Sequence, residues 1–546
     1  MIKKALLYWH TIKYLKPVQI YGRPIAKLRR RANAVIPSEV ALRSGWQQKK
    51  RPFHPPSVLT DGKTFTFLND SKTFNEKVDW NLSDRSKLWR YNLHYFDYLH
   101  QLSWSAGHAL MLEWIHQNTN PRHEGWDPYP LSLRIVNWLK WLQNQPDQSP
   151  DPLILRSLYA QARYLARNFE YQNQANHLFE NIKALLWASL VFDGTEADRW
   201  LAQTAPQMVR ELEEEILADG GHYERSPMYH AIILEGCLDL WNLFPQLEER
   251  APKVASALKQ KLPAMVTWLE TMCHPDGDIA LFNDAAVGIA PRSMQLLSYA
   301  EELLGGKPAS SGSLAYFESS GYVVVRDPHS YLAIDVGEIA PSYQPAHAHC
   351  DTLSFELSLF GQRIFVDSGV GSYQDRTLRR RETAAHNTVR VDGHEQSEIW
   401  GSFRVARRAL PCHVQIQTLG EGVQVQGEHS GYDRLGVRHH RQFDWGPGQL
   451  TVTDQVRGNG VHSVEVFYHL HPELTIDQLS ESLIEIQQRN EAIARFEVLQ
   501  GPNIQLGSDA YCPAFGVKQD RSVIRLGITE KLPSQVICRL TWAANE

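Results

Sequence analysis

The chain has 546 residues, of which 43% are hydrophobic and 21% charged, and its formal net charge is -5. That length exceeds what one compact core organises, so two domains with a small appendage are expected. The near-balanced charge excludes wholesale nucleic-acid binding, and the six cysteines (Cys237, Cys273, Cys350, Cys412, Cys512, Cys538) lack the spacing of a zinc knuckle or a disulfide framework.

The opening Met1-Ile2-Lys3-Lys4-Ala5-Leu6-Leu7-Tyr8-Trp9-His10 begins basic, but its apolar run is too short for a secretory signal and no small-residue cleavage site follows. No stretch reads as a membrane span. A reducing compartment is expected, cytoplasmic by default, with periplasmic or extracellular export left open. Residues 1–85 are basic, contain proline and are weakly periodic, so they read as an N-terminal extension packed on the helices that follow.

From 86 to 308 apolar residues recur at three- and four-residue intervals, as in 131–142, 154–169, 178–192, 208–217, 230–244 and 264–272. Turns rich in Gly, Pro, Asn and Asp separate these segments, so consecutive amphipathic helices forming a toroid or solenoid are expected. After Gly305-Gly306-Lys307-Pro308 the period changes. The runs 321–326, 331–336, 414–416, 423–425, 450–456, 464–468, 484–487 and 536–542 are β-branched or aromatic, which predicts an antiparallel β domain of stacked sheets over 309–546.

Three constellations carry candidate chemistry. In Gln174-Ala175-Asn176-His177-Leu178-Phe179-Glu180-Asn181 a helix opens, and Asn173 or Asn176 as its cap is the ordinary reading. The functional one is a polar cluster at the positive end of the helix dipole that neutralises a carboxylate. In Asp219-Gly220-Gly221-His222-Tyr223-Glu224-Arg225-Ser226-Pro227-Met228-Tyr229-His230 a Ser226 cap and a first-turn Pro227 signal a helix start. Tyr229 then falls in the first turn, where the dipole and Arg225 are expected to favour phenolate and let it exchange a proton near neutral pH. A ring packed at a helix start is the commoner case.

The third constellation is Ala346-His347-Ala348-His349-Cys350-Asp351 with Asp367 and His386. Histidines two apart in an extended segment share one face. Two imidazoles and a carboxylate make a zinc set with an open position, leaving one histidine for acid/base work, although structural histidines account for the spacing equally well. Basic clusters at 29–31, 49–51 and Arg376, Arg379, Arg380 and Arg381 ordinarily mark a solvated face; the last lies close to the histidines and is a candidate hold for an acidic substrate.

Together these residues resemble the heparinase II/III family of polysaccharide lyases over about 89–410. The resemblance is carried by Trp89-Arg90-Tyr91-Asn92-Leu93-His94-Tyr95-Phe96, Trp126-Asp127-Pro128-Tyr129-Pro130, Asn176-His177, Glu224-Arg225-Ser226-Pro227-Met228-Tyr229-His230, His347-Ala348-His349-Cys350-Asp351 and Ala384-Ala385-His386-Asn387-Thr388-Val389-Arg390-Val391-Asp392-Gly393. It implies a multidomain α+β chain, an (α/α) toroid over 86–308 followed by an antiparallel β-sandwich over 309–546. It also implies a carbon–oxygen lyase that cleaves a uronic-acid-containing polysaccharide by β-elimination.

On that resemblance Asn176 and His177 neutralise the uronate carboxylate, while Tyr229 and His347 are acid and base. Tyr229 is the acid, and serves as base too when both groups lie on one side of the ring. His349, Asp367 and His386 are the ligands of a structural divalent metal, Zn2+, that orders the loop of the catalytic histidine. Arg225, Tyr373 and Arg381 are candidate substrate contacts. Cys350 departs from the family, where a small residue is more usual, and its thiolate is a rival ligand.

The missing signal and the 91–96 block resemble a subgroup associated with bacterial surface-polysaccharide gene clusters. The expected partner is therefore an acidic capsule or exopolysaccharide, or an oligosaccharide from one, rather than heparin, with homodimerisation left open. Two rivals stand: a glycoside hydrolase using Asp219 with Glu224, and a non-catalytic polysaccharide-binding or assembly protein stacking sugars on Trp126, Tyr129 and Trp400.

Overall fold

Proline opens four of the helices that build the N-terminal half: Pro128–Gln143, Pro152–Ala166, Pro227–Asn242 and Pro252–Thr271. Its fixed φ and missing N–H cost nothing at a first helical position. The computed structural model describes residues 2–29, 34–45, 59, 62–145, 147–306 and 312–543. The side chains of the basic clusters at 29–31 and 49–51, and the expected boundary at Lys307 and Pro308, lie outside the described residues.

These helices, with Trp104–Gln117, Ala175–Val191, Thr195–Glu215 and Ser293–Leu304, take up the helical segments expected from periodicity and form the toroid. Ala175–Val191 packs against Pro128–Gln143 and Thr195–Glu215. Every one of its residues is buried except His177, so a helix that is apolar nearly all round carries one side chain out to a cleft.

The first 85 residues are less uniform than expected. A hairpin, Thr64–Phe67 with Asp70–Thr73, alternates so that Phe65 and Phe67 enter the toroid core against Tyr98. The helices Ile2–Ile12 and Pro17–Arg29 rest on both domains rather than on the helices alone. Lys16 pairs with Glu214 of the toroid, while Trp400 Nε1 of the sandwich donates to Thr11 Oγ1 at 3.0 Å.

The C-terminal half contains three large sheets and a two-stranded pair, Ile399–Gly401 with Arg404–Val405, whose strand pairs are all antiparallel among the described residues. A five-stranded meander spans Leu314–Phe317 to Gln362–Phe365 in chain order. A four-stranded sheet holds Gln505–Tyr511, Gln519–Lys531, Val461–His469 and Val389–Val391, and an eight-stranded sheet runs from Pro411–Leu419 to Leu474–Gln478. Their apolar faces meet in one core that includes Val323, Val464 and Phe443. Alternation on Val437–Gly446 also turns Arg441 inward, where it pairs with Asp454 at 2.7 Å and donates to the carbonyls of Leu353 and Asn387.

Candidate active site

The site lies where a toroid loop meets the sandwich. Gly220 has φ 88°, and a Cβ there would stand 2.3 Å from the carbonyl carbon of Ala264, so this turn against Pro252–Thr271 requires glycine. Arg225 adopts a left-handed φ of 56°. Its carbonyl is held in place by Asn283 Nδ2 at 3.0 Å and Tyr322 Oη at 2.6 Å. Ser226 Oγ then accepts the Tyr229 N–H at 3.4 Å and donates to the Asp284 carbonyl at 2.6 Å, capping Pro227–Asn242 as the sequence predicts.

Asn283 and Asp284 stitch the two domains together. Asp351 Oδ2 accepts the Asn283 N–H at 3.0 Å, Asn283 Oδ1 accepts the His349 N–H at 2.9 Å, and the His347 carbonyl accepts the Asp284 N–H at 3.0 Å. The Asp284 carboxylate takes His349 Nε2 at 2.9 Å and the Arg379 guanidinium. These bonds bring His347 over Tyr229.

The Tyr229 and His347 rings stack with centroids 3.9 Å apart and planes within 7°. The Tyr229 hydroxyl is 2.8 Å from that of Tyr373, whose ring runs parallel to His347 at 6.4 Å. Burial, reinforced by Tyr373, Asp284 and Glu224, holds the Tyr229 pKa well above the ordinary phenol value. Tyr229 is thus a neutral phenol at rest, against the expectation of a phenolate. The Arg225 guanidinium that was to favour ionisation instead reaches the Ser320 carbonyl at 3.2 Å and Glu338 at 3.5 Å.

Glu224 pairs through Oε2 with His347 Nδ1 and accepts the Asn176 N–H on Oε1 at 3.4 Å. Burial opposes its ionisation, but His347 outweighs burial and lowers its pKa. A carboxylate at Nδ1 keeps that nitrogen protonated and leaves Nε2 as the basic one. Glu224 also performs the capping expected of Asn173 or Asn176. Asn176 lies inside the helix, and Asn173 Nδ2 donates to Glu170 at 2.9 Å.

His177 Nδ1 is 3.1 Å from Glu170 Oε2, and its ring lies against Tyr129 at 4.5 Å. Burial works against its charge; Glu170, with Glu224 behind it, prevails and raises its pKa. Asn176, Tyr229, His347 and Tyr373 are thus joined through Glu224 and the ring stack, with His177 next to Asn176 at the helix start.

The other expected substrate contacts face elsewhere. Arg381 donates to the carbonyls of Ala348 and Ser402, each at 2.7 Å. Arg379 grips Asp284 and the Ala346 carbonyl, and Arg380 pairs with Asp509. Buried or half-buried, these side chains brace the histidine loop; Arg376 is exposed.

Behind the stacked rings, His349 Nδ1, Asp351 Oδ1 and His386 Nε2 have no hydrogen-bond partner among the described residues, although all three side chains are buried. They lie within 4.8 Å of one another. Unmet nitrogen and carboxylate donors at that spacing fit a divalent cation such as zinc. The remaining imidazole nitrogens meet Asp284 at 2.9 Å and Asp367 at 2.7 Å, the carboxylate backing usual for metal-bound histidine. Asp367 thus differs from expectation: its Oδ2 is spent on His386 Nδ1 and its Oδ1 accepts the Ser368 N–H, and Asp351 completes the donor set. Cys350 stays out of it. Its thiol donates to the Ser397 carbonyl, and burial pushes its pKa up, away from thiolate.

The family model for the heparinase II/III N-terminus matches residues 59–301, and that for the heparinase II/III-like C-terminal region matches 309–540. The chain belongs to the heparinase II/III family. It is 22% identical over 380 residues to a heparin-sulfate lyase of Pedobacter heparinus, covering 60% of this chain and 55% of that protein. A heparin-sulfate lyase of Bacteroides thetaiotaomicron is 24% identical over 409 residues, covering 65% and 56%. The chain thus spans little more than half the length of these curated relatives.

Among solved structures, a heparinase III superposes with TM-score 0.69 at 18% identity, covering 96% of this chain and 89% of that one. A heparan sulfate lyase mutant from Pedobacter heparinus gives TM-score 0.63 at 16% identity, covering 97% and 88%. Both likenesses are of fold, a helical toroid followed by an antiparallel sandwich.

Within this heparinase II/III fold, Glu170, Asp284 and Asp351 carry roles that sequence reading missed. The only role given to Glu224 there was half of a hydrolase pair. The other half, Asp219, accepts the N–H groups of Gly221 and Ser320 on its two oxygens and serves as a structural clip. Trp126 is buried against Trp114 and Tyr164, and Trp400 donates to Thr11 and packs edge-on against Tyr8.

Proposed function

We propose that the protein is a polysaccharide lyase that cleaves an acidic, uronate-containing polysaccharide by β-elimination. The observation that carries this reading is the stack of Tyr229 on His347 beside the Asn176–His177 helix start. The C5 proton of a uronate is barely acidic because it lies next to a carboxylate, so its removal needs positive charge and hydrogen-bond donors at that carboxylate. His177, whose protonation Glu170 favours, and the Asn176 amide supply them at a helix N-terminus.

His347, held by Glu224 with Nε2 as its basic nitrogen, removes the C5 proton, and the neutral Tyr229 phenol protonates the O4 leaving group. Tyr373 donates to or accepts from the Tyr229 hydroxyl and keeps it aligned. Arg225 and Arg381 act on the backbone around the cleft and reach substrate only through it.

His349, Asp351 and His386 would hold a zinc ion, which would supply fixed positive charge among the buried carboxylates and order the loop that presents His347. The substrate that fits the subgroup resemblance is a surface polysaccharide repeat bearing a uronic acid. The test is ultraviolet absorbance of the C4=C5 double bond during incubation with a panel of uronate polymers, Tyr229→Phe serving as control. A rise confined to the wild type supports the lyase. Reducing ends without that rise would give the reaction to a hydrolase instead.

A further inference from the structure

The helices Ile2–Ile12 and Pro17–Arg29 are turned inside out. A surface helix of a water-soluble protein sets its apolar stripe on the core and its polar face in water. Here the most buried side chains facing the body are Thr11 and Gln19, exposed by only 6% and 4%, while Tyr8 and Tyr14 lie only part-covered against Trp400 and Arg408. They are anchored by hydrogen bonds, Thr11 Oγ1 accepting from Trp400 Nε1 at 3.0 Å and Gln19 Nε2 donating to the Tyr343 carbonyl at 3.1 Å. Gly22 seats against Gln172, where a Cβ would meet Gln172 Cβ at 3.0 Å.

The face turned to solvent carries Trp9, Ile12, Ile20 and Tyr21, exposed by 63%, 47%, 54% and 54%. Along the sequence this segment carries charge of one sign, although Lys16 is paired with Glu214 of the toroid. Five lysines and four arginines precede Glu39, the first acidic residue, although the chain as a whole has 61 Asp and Glu against 56 Lys and Arg. Lys4, Lys13 and Arg23 are exposed beside the apolar side chains.

We propose that this helix pair docks the protein on an anionic lipid surface. Trp9, Ile12, Ile20 and Tyr21 enter the boundary between headgroups and acyl chains, and the lysines and arginines meet lipid phosphates. Ring-bearing residues with polar edges settle at that depth, and branched aliphatic ones gain there by leaving water. Docking is interfacial, since among the described residues no helix is long and apolar enough to cross a membrane. A second copy of the chain meets the face poorly, because a symmetric contact sets like charges against each other. A polysaccharide would use the two aromatic rings and leave Ile12 and Ile20 wet.

The test is flotation of the full chain with vesicles of phosphatidylcholine plus phosphatidylglycerol, against phosphatidylcholine alone, without substrate, so that the result does not depend on the lyase reading. The protein is expected to float with the anionic vesicles and to lose that binding as salt rises. The triple variant Trp9→Ser, Ile12→Ser, Ile20→Ser should partition about tenfold less, with thermal unfolding unchanged because the replaced side chains are exposed. Flotation that fails with anionic vesicles, or that the triple variant retains, overturns the proposal. So does a wild-type dimer that the triple variant turns into a monomer, or a retention on acidic polysaccharide that the variant loses in place of lipid binding.

Discussion

Glu224 of the toroid is ion-paired with His347 Nδ1 of the sandwich, and its second oxygen holds the Asn176 N–H at 3.4 Å. A single carboxylate thus sets the tautomer of the proposed base and the backbone of the proposed carboxylate-binding site. Replacing Glu224 by Gln removes the charge and keeps the shape. Turnover on the uronate substrate should fall about a hundredfold, with KM changed less than kcat, since the loss is felt mainly in proton transfer. An unchanged kcat would strip Glu224 of that role.

Tyr229→Phe deletes one hydroxyl from a ring that keeps its stack on His347. Turnover should drop by about a hundredfold to ten-thousandfold, while circular dichroism and metal content stay those of the wild type. A variant with wild-type rate would move the acid to another residue, Tyr373 first, because it shares the hydrogen bond.

The charge on His177 sets an alkaline limit. Burial lowers the tendency of this imidazole to protonate, and Glu170 more than restores it, raising the pKa. The cation is therefore present below that raised value and lost as pH climbs through it. Glu170→Gln removes the raising carboxylate, so the alkaline limb of kcat/KM should move to lower pH. A limb that stays in place would show that another group titrates there.

Asp351 and Asp367 can be told apart by metal content. Asp351→Asn removes a donor from the set with His349 and His386, and the purified variant should hold no stoichiometric zinc after dialysis. Asp367→Asn only loosens the orientation of His386 and should bind zinc about tenfold to a hundredfold more weakly. Elemental analysis with thermal unfolding reads both; the reverse order would restore Asp367 as the ligand.

Deep in the sandwich, burial raises the Asp454 pKa less than Arg441 and His439 lower it, and the carboxyl sits at about 2. The unfolded value is about 3.9, so the pair stabilises the fold above that pH and the contribution, on the order of 2–3 kcal/mol, is lost as pH falls towards 2. Asp454→Asn should lower stability at pH 7 by about 3 kcal/mol, leaving Arg441 buried without its charge partner. Denaturant unfolding from pH 7 to pH 3 should show the gap between variant and wild type closing.

What was legible in the chain before its structure follows from how local each signal is. The helix start at Ser226 and Pro227, the strand run of 450–456 and the pairing of Asn176 with His177 are decided within a few residues, and all appear in the fold. Asp284 and Glu170 gain meaning only from partners far along the chain or in an adjoining turn, and a lone carboxylate carries no mark of that. Asn176 looked like a cap because caps are normally local; the carboxylate that supplies this one comes from Glu224. Arg225 sat near Tyr229 in sequence, but its left-handed backbone points the side chain to Ser320 and Glu338. The N-terminal helices defeated the reading for a different reason. They read as a weakly periodic extension because the residues taking the inward side, Thr11 and Gln19, are polar, so no apolar stripe marks the packed face.

The stitch at Asn283 and Asp284 also governs how the two halves can move. Bonds to His347, His349, Asp351, Ser226, Arg225 and Arg379 converge on two consecutive residues, and the seam continues through His274 with Glu356 and Arg363 with Asp276. Sliding one half past the other would have to break these bonds before it could part the Tyr229–His347 stack, so the spacing of the reacting rings is tied to the integrity of the seam.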